Sequence, residues 1–145
     1  MKRLVLAISA VALVSGAAFA DPIADRKALM KERGGLVGQL APVAKGEKPF
    51  DAAAVLAALQ GLAANGDKFD IDALFPAGSD SGDTKAAPKI WEDMAGFKAA
   101  EAKFEADVDA AIAAAPQDLD AFKAQFGAVA ANCGACHQAY RIPSS

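Results

Sequence analysis

One histidine, one tyrosine, one tryptophan and two cysteines are all that 145 residues provide of these types. A single imidazole excludes any site built on two histidines, and two thiols beside it fall short of the usual four-ligand zinc set. Basic residues are not in excess: 15 Lys and Arg stand against 18 Asp and Glu, a net charge of −3. The chain has no basic tract, which argues against a nucleic-acid binder, because such proteins neutralise phosphate with a cationic face. Val, Ile, Thr and Tyr are thin and no stretch alternates apolar with polar residues, so strands are not expected. No internal repeat is visible. What the chain does have is 54% hydrophobic residues, much of it alanine, a strong helix former, over a length that suits one packed domain.

Part of that apolar excess sits at the N-terminus. Met1, Lys2 and Arg3 form a basic head, Leu4 to Phe19 an almost uncharged run, and Ala18-Phe19-Ala20 puts small residues at −3 and −1 before Asp21. The pattern predicts a signal peptide over 1–20, cleaved after Ala20, and an exported domain over 21–145. A membrane anchor fits less well, since the apolar run is only about 16 residues where a spanning helix needs about 20. Losing Lys2 and Arg3 makes the mature chain more acidic. No later segment has the composition of a span.

Four helical stretches follow from periodicity and punctuation. The first opens at Asp21-Pro22, an N-cap followed by a first-turn proline, carries Ile23, Met30 and Val37 on one side, and ends near Pro42 and Gly46. The second starts at Asp51, turns Val55, Leu59 and Leu62 inward, and is expected to stop at Asn65-Gly66 in a left-handed cap. A connection from Asp67 to Ala87, long for a compact domain, suggests a crossover, with an apolar knot at Ile71, Leu74 and Phe75. The third helix is read from Pro88 to Pro116, with Ile90, Met94, Phe97, Phe104, Val108 and Ile112 inward and Trp91 beside them. Its Glu101, Glu105, Asp107 and Asp109, interleaved with Lys98 and Lys103, read as a solvated face. The fourth starts near Asp118, and Leu119, Phe122, Phe126, Val129, Cys133, Cys136 and Tyr140 recur at alternating intervals of three and four, a bundle seam. The fold class is therefore all-α, a four-helix bundle with a long crossover between the second and third helices.

The last helix contains Cys133-Gly134-Ala135-Cys136-His137, the spacing of covalent haem attachment. Residues three apart share a helix face, so both sulfurs reach one edge of a porphyrin, and the next residue supplies a proximal imidazole to iron. A redox-active thiol pair belongs at a helix start in a strand–helix context that this chain lacks. A disulfide closing so short a loop inside a helix stabilises little. The motif thus calls for one covalent haem c held by Cys133 and Cys136, with His137 on the iron. No second histidine exists for the sixth position, and methionine is the remaining soft ligand: Met30 or Met94.

A haem motif closing the last helix of a bundle resembles the class II cytochromes c, the cytochrome c-prime family and its low-spin relatives. The resemblance runs over nearly all of Asp21 to Arg141: Arg26 to Met30, Lys45-Gly46-Glu47-Lys48-Pro49-Phe50-Asp51, Pro88-Lys89-Ile90-Trp91, and Cys133 to Arg141. It implies that Met30, within Leu29-Met30-Lys31, faces the distal side of the haem. Met30 then binds iron, as in the low-spin branch, or lines an open pocket for nitric oxide or carbon monoxide, as in the high-spin branch; the first is the expectation. Met94 is read as core. Trp91, Phe97, Phe104, Phe122 and Phe126 are read as bundle packing, with some walling the haem. Arg141 is a candidate to pair with a propionate or to steady the exposed side of His137, or else a solvated C-terminal arginine, and Arg26 and Lys27 carry the same ambiguity. The implied function is periplasmic electron transfer by a protein that is not an enzyme. The implied partners are periplasmic or membrane-bound redox proteins, and the haem attachment machinery during maturation. The acidic surface would suit a basic docking patch on a partner. Pairing into a homodimer through the first two helices is a further expectation from the family.

Overall fold

The computed structural model describes residues 21–143, so the signal-peptide expectation lies outside the described residues. Among the described residues six helices succeed one another: α1 (Pro22–Ala44), α2 (Ala52–Gly66), α3 (Ile71–Leu74), α4 (Lys89–Glu92), α5 (Met94–Ala114) and α6 (Leu119–Tyr140). The four long ones, α1, α2, α5 and α6, form the bundle, and α3 and α4 are single turns at either end of the crossover. The starts follow from side-chain capping: Asp21, Asp51, Asp93 and Asp118 each accept from backbone N–H groups of the first turn. No helix among the described residues is long and apolar enough to cross a membrane.

Three local expectations change. Helix α2 runs through Gly66 in right-handed geometry, with no left-handed cap at Asn65-Gly66. Asn65 is instead fully buried and bonded to α1: its Nδ2 donates to Leu29 O and Glu32 Oε2, both at 3.1 Å. The third helix is broken at Asp93, whose Oδ1 caps Gly96 N–H at 3.1 Å while its Oδ2 accepts from the Tyr140 hydroxyl at 3.0 Å. Glu101 is buried, 7% exposed, where a solvated face was expected. Its carboxylate is neutralised by Arg33 across the helix pair, which a charge pattern on one helix does not reveal.

Two apolar clusters divide the bundle lengthwise. The larger packs Leu40, Leu59, Leu62, Val108, Phe122 and Val129 where α1, α2, α5 and α6 meet. The smaller gathers Phe69, Leu74, Phe75, Ile90 and Phe97 from the crossover, α4 and the start of α5. Leu29, Met30, Trp91, Met94, Cys136 and Tyr140 pack against it. The crossover is tied down at both ends. Arg26 donates to Leu74 O, Ser79 O and Oγ, and Thr84 Oγ1 at 2.7–3.2 Å, and the chain after α6 pairs with residues 85–87 through Ala87 N to Tyr140 O and Ile142 N to Lys85 O.

Candidate cofactor site

Between α1, α5, α6 and the crossover lies a cavity of about 800 Å³, within the range of ligand and cofactor sites. Three of the four long helices line it, mostly through residues three and four apart. Helix α1 gives Arg26, Met30, Arg33 and Val37; α5 gives Phe97, Glu101 and Phe104; α6 gives Asn132, Cys133, Cys136 and Tyr140. His137 lines the same space, reached from the C-terminal end of α6. Sequence periodicity places the apolar side chains and the two cysteines among these; Arg33, Glu101 and Asn132 are turned inward by polar partners on other helices.

The electrostatics suit ligation better than thiol chemistry. Burial pushes both the Cys133 and Cys136 thiols up, against a smaller lowering by Arg33, which disfavours the thiolate that exchange chemistry needs. Neither sits at a helix N-terminus, where a thiolate would be favoured. Burial, and then the cations Arg141 and Arg33, lower the His137 pKa, which leaves a neutral imidazole able to bind a metal.

Part of the cavity wall is polar. Arg33 is 7% exposed; its Nη1 and Nη2 donate to the two carboxylate oxygens of Glu101 at 3.0 and 2.6 Å, and its Nε donates to Asn65 Oδ1 at 2.8 Å. The guanidinium lies over the Phe69 and Phe104 rings, 4.8 and 4.4 Å from their centroids. Asn132 donates to Asp107 Oδ2 at 2.7 Å and to Ala128 O at 3.0 Å.

The donor set and the shape fit a covalently attached haem. Two thiols three residues apart, a neutral imidazole next to the second, and a largely apolar cavity offer attachment, an iron ligand and a dry pocket in one place. Met30 lines the same cavity from α1. Phe97 and Phe104 wall the cavity together with Phe69, Phe75 and Tyr140, whereas Phe122 and Phe126 pack in the larger cluster, which Phe104 also joins, and do not line it. Trp91 packs on the smaller cluster and donates from Nε1 to Phe75 O and Pro76 O, both at 3.1 Å. Met94 also packs on that cluster, in keeping with the core role expected for it. Arg26 and Arg141 both reach the cavity wall. The terminal nitrogens of Arg26 are bonded to the crossover, so any propionate contact would share or replace one of those bonds.

Sequence reading missed Arg33, Asn65 and Asn132 and misplaced Glu101. A signal was present: Arg33 is three residues after Met30, and Glu101 lies between Phe97 and Phe104 on one stripe.

The family model described as Cytochrome C' matches residues 21–141. Cytochrome c-556 from Agrobacterium fabrum (strain C58 / ATCC 33970) is 41% identical over 143 residues, covering 98% of this chain and 96% of that one. A solved structure of cytochrome c' from Rhodopseudomonas palustris matches with TM-score 0.80 and 42% identity, over 86% of this chain and 98% of that one. Another, a nitric oxide complex of a mutant cytochrome c prime from Alcaligenes xylosoxidans, matches with TM-score 0.74 and 35% identity, over 88% and 98%. The chain belongs to the cytochrome c' family, the class II cytochromes c. It is a haem c cytochrome, and Cys133-Gly134-Ala135-Cys136-His137 fits the attachment site.

Proposed function

We propose that the protein is an exported, periplasmic electron carrier in which Cys133 and Cys136 hold the haem, His137 is the proximal iron ligand and Met30 the distal one. Haem c bound there supplies iron that exchanges one electron. The chain's own residues do the rest. Cys133 and Cys136 would hold the haem through thioether links, His137, whose pKa is lowered by burial, would offer its imidazole to the iron, and Phe97 and Phe104 supply apolar wall. The Met30 thioether would supply a soft ligand, which raises the potential relative to harder ligands. The observation that supports this reading is that Met30, on the inward stripe of α1, lines the cavity that Cys133, Cys136 and His137 line from α6.

A second reading leaves the sixth side open for nitric oxide or carbon monoxide. The solved structures of cytochromes c', one of them a nitric oxide complex, weigh toward it. Visible spectra of the holoprotein, oxidised, reduced and reduced under carbon monoxide, separate the two. Sharp low-spin bands indifferent to the gas support Met30 ligation, and Met30→Ala then gives high-spin iron with the haem still covalent. Broad bands that shift with carbon monoxide in the wild-type protein overturn it in favour of the open site.

Further proposals accompany this function. Residues 1–20 act as the signal peptide. Arg141 and Arg26 contact the propionates. Periplasmic or membrane-bound redox proteins are the partners, and α1 and α2 carry any homodimer contact.

A further inference from the structure

Arg33 and Glu101 are among the few charged side chains withdrawn from solvent, and both line the haem cavity. A pair of this kind is costly to bury, and well-packed apolar residues commonly replace one without loss of stability. Here the surroundings hold both partners in one arrangement. The two-pronged contact joins α1 to α5, Asn65 fixes Arg33 Nε from α2, and Phe69 and Phe104 lie beneath the guanidinium. Arg33 is also three residues from Met30 on α1, so the pair stands within the wall rather than beyond it. Both charges act on α6: each contributes to the electrostatics at Cys133 and Cys136.

We infer that Arg33 and Glu101 are a charge-compensated pair that sets the reduction potential of the haem in this cavity, each partner pulling it in the opposite direction. The physical ground is Coulombic. A buried cation favours the iron state of lower positive charge and a buried anion the state of higher charge, and in a cavity of low dielectric neither is screened as it would be in water. Paired, the two effects nearly cancel; unpaired, each is expressed. The inference needs haem c in the cavity and does not depend on whether Met30 binds the iron.

Equilibrium redox titration of the holoprotein tests it with Glu101→Gln, Arg33→Gln and the double variant. Glutamine preserves much of the volume and hydrogen-bonding capacity while removing charge. Relative to the double variant, which carries the packing change alone, Glu101→Gln is expected to raise the potential and Arg33→Gln to lower it. Shifts of the same sign, or none, overturn the proposal, because a purely structural role has no reason to reverse sign with charge. Arg33→Lys keeps the charge but loses the two-pronged geometry, and gives an independent reading should a single glutamine variant fail to accumulate. It is expected to lower the urea midpoint while holding the wild-type potential. A potential displaced in that variant overturns the proposal as well.

Discussion

Gly96 sits where a methyl group has no room. A Cβ there would lie 2.5 Å from both Asp93 Oδ2 and the Tyr140 hydroxyl, the two atoms that bond α5 to the end of α6. Those side-chain ends can swing aside only by giving up the Asp93 cap and the Tyr140 bond. Each is worth about 1 kcal/mol, against about 1 kcal/mol gained from alanine's helix propensity. Gly96→Ala is therefore expected to cost about 1 kcal/mol in urea unfolding; a variant more stable than wild type would show that the contact relaxes freely. Asn65 makes the complementary case. Asn65→Ala strips a fully buried acceptor from Arg33 Nε and a donor from Leu29 O, for an expected loss of about 2 kcal/mol. Equal urea midpoints would mean that water replaces the amide. At this scale the motif residues were legible, because covalent haem attachment demands thiols at a set spacing and an adjacent imidazole. Arg33, Glu101 and Asn65 were not, because what makes them inward is a partner on another helix. Glu101 beside Lys98 and Lys103 looks solvated until Arg33 reaches it from α1.

Helix ends carry the next set of consequences. Helix α5 ends at Ala115, whose φ of 41° places a Cβ-bearing residue in the left-handed region. Glycine adopts that geometry without penalty but has more freedom to lose on folding, so relief of about 1–2 kcal/mol is partly offset. Ala115→Gly should raise stability by about 0.5–1 kcal/mol, read as a higher urea midpoint; a lower one would show that the strain is negligible. On the same helix, partial desolvation against Gly66 and then the Glu101 charge raise the carboxyl of Glu105, a residue otherwise exposed, above its ordinary value of 4.5, so its effect on stability is small. A carboxyl raised in the folded state binds protons more readily there than when unfolded, so stability falls as pH rises above 4.5 toward the folded value. Glu105→Gln removes that slope. Its urea midpoint should match wild type in acid and exceed it at neutral pH, and coincidence of the two profiles at every pH would refute the assignment. The long helices and their starts at Asp21, Asp51 and Asp118 could be read from the sequence, since periodicity and N-caps are local. The break at Asp93 could not, because it depends on a hydroxyl 47 residues away.

Across the whole molecule, the two apolar clusters respond differently to the cofactor. The larger, around Leu59, Val108 and Phe122, is closed by side chains from four helices and lacks the thiols, His137 and Met30. The smaller shares Cys136, Met30 and Tyr140 with the cavity wall, and its Phe69, Phe75, Ile90 and Phe97 face the same 800 Å³. Without haem those side chains lose an apolar partner, whereas the larger cluster faces the cavity only through Phe104 and the flanking Val37. The Cys133→Ser, Cys136→Ser variant, produced alongside the wild type with haem attachment machinery, should release all its haem on acid–organic extraction. Its thermal midpoint should fall below that of the holoprotein. Hydrogen exchange should locate the loss: amides in α4, the first turns of α5 and the last turns of α6 are expected to exchange faster, while α2 and the first half of α6 keep their protection. Uniform loss of protection would instead mean that the bundle folds as one unit around its cofactor, and that the larger cluster cannot stand without the smaller.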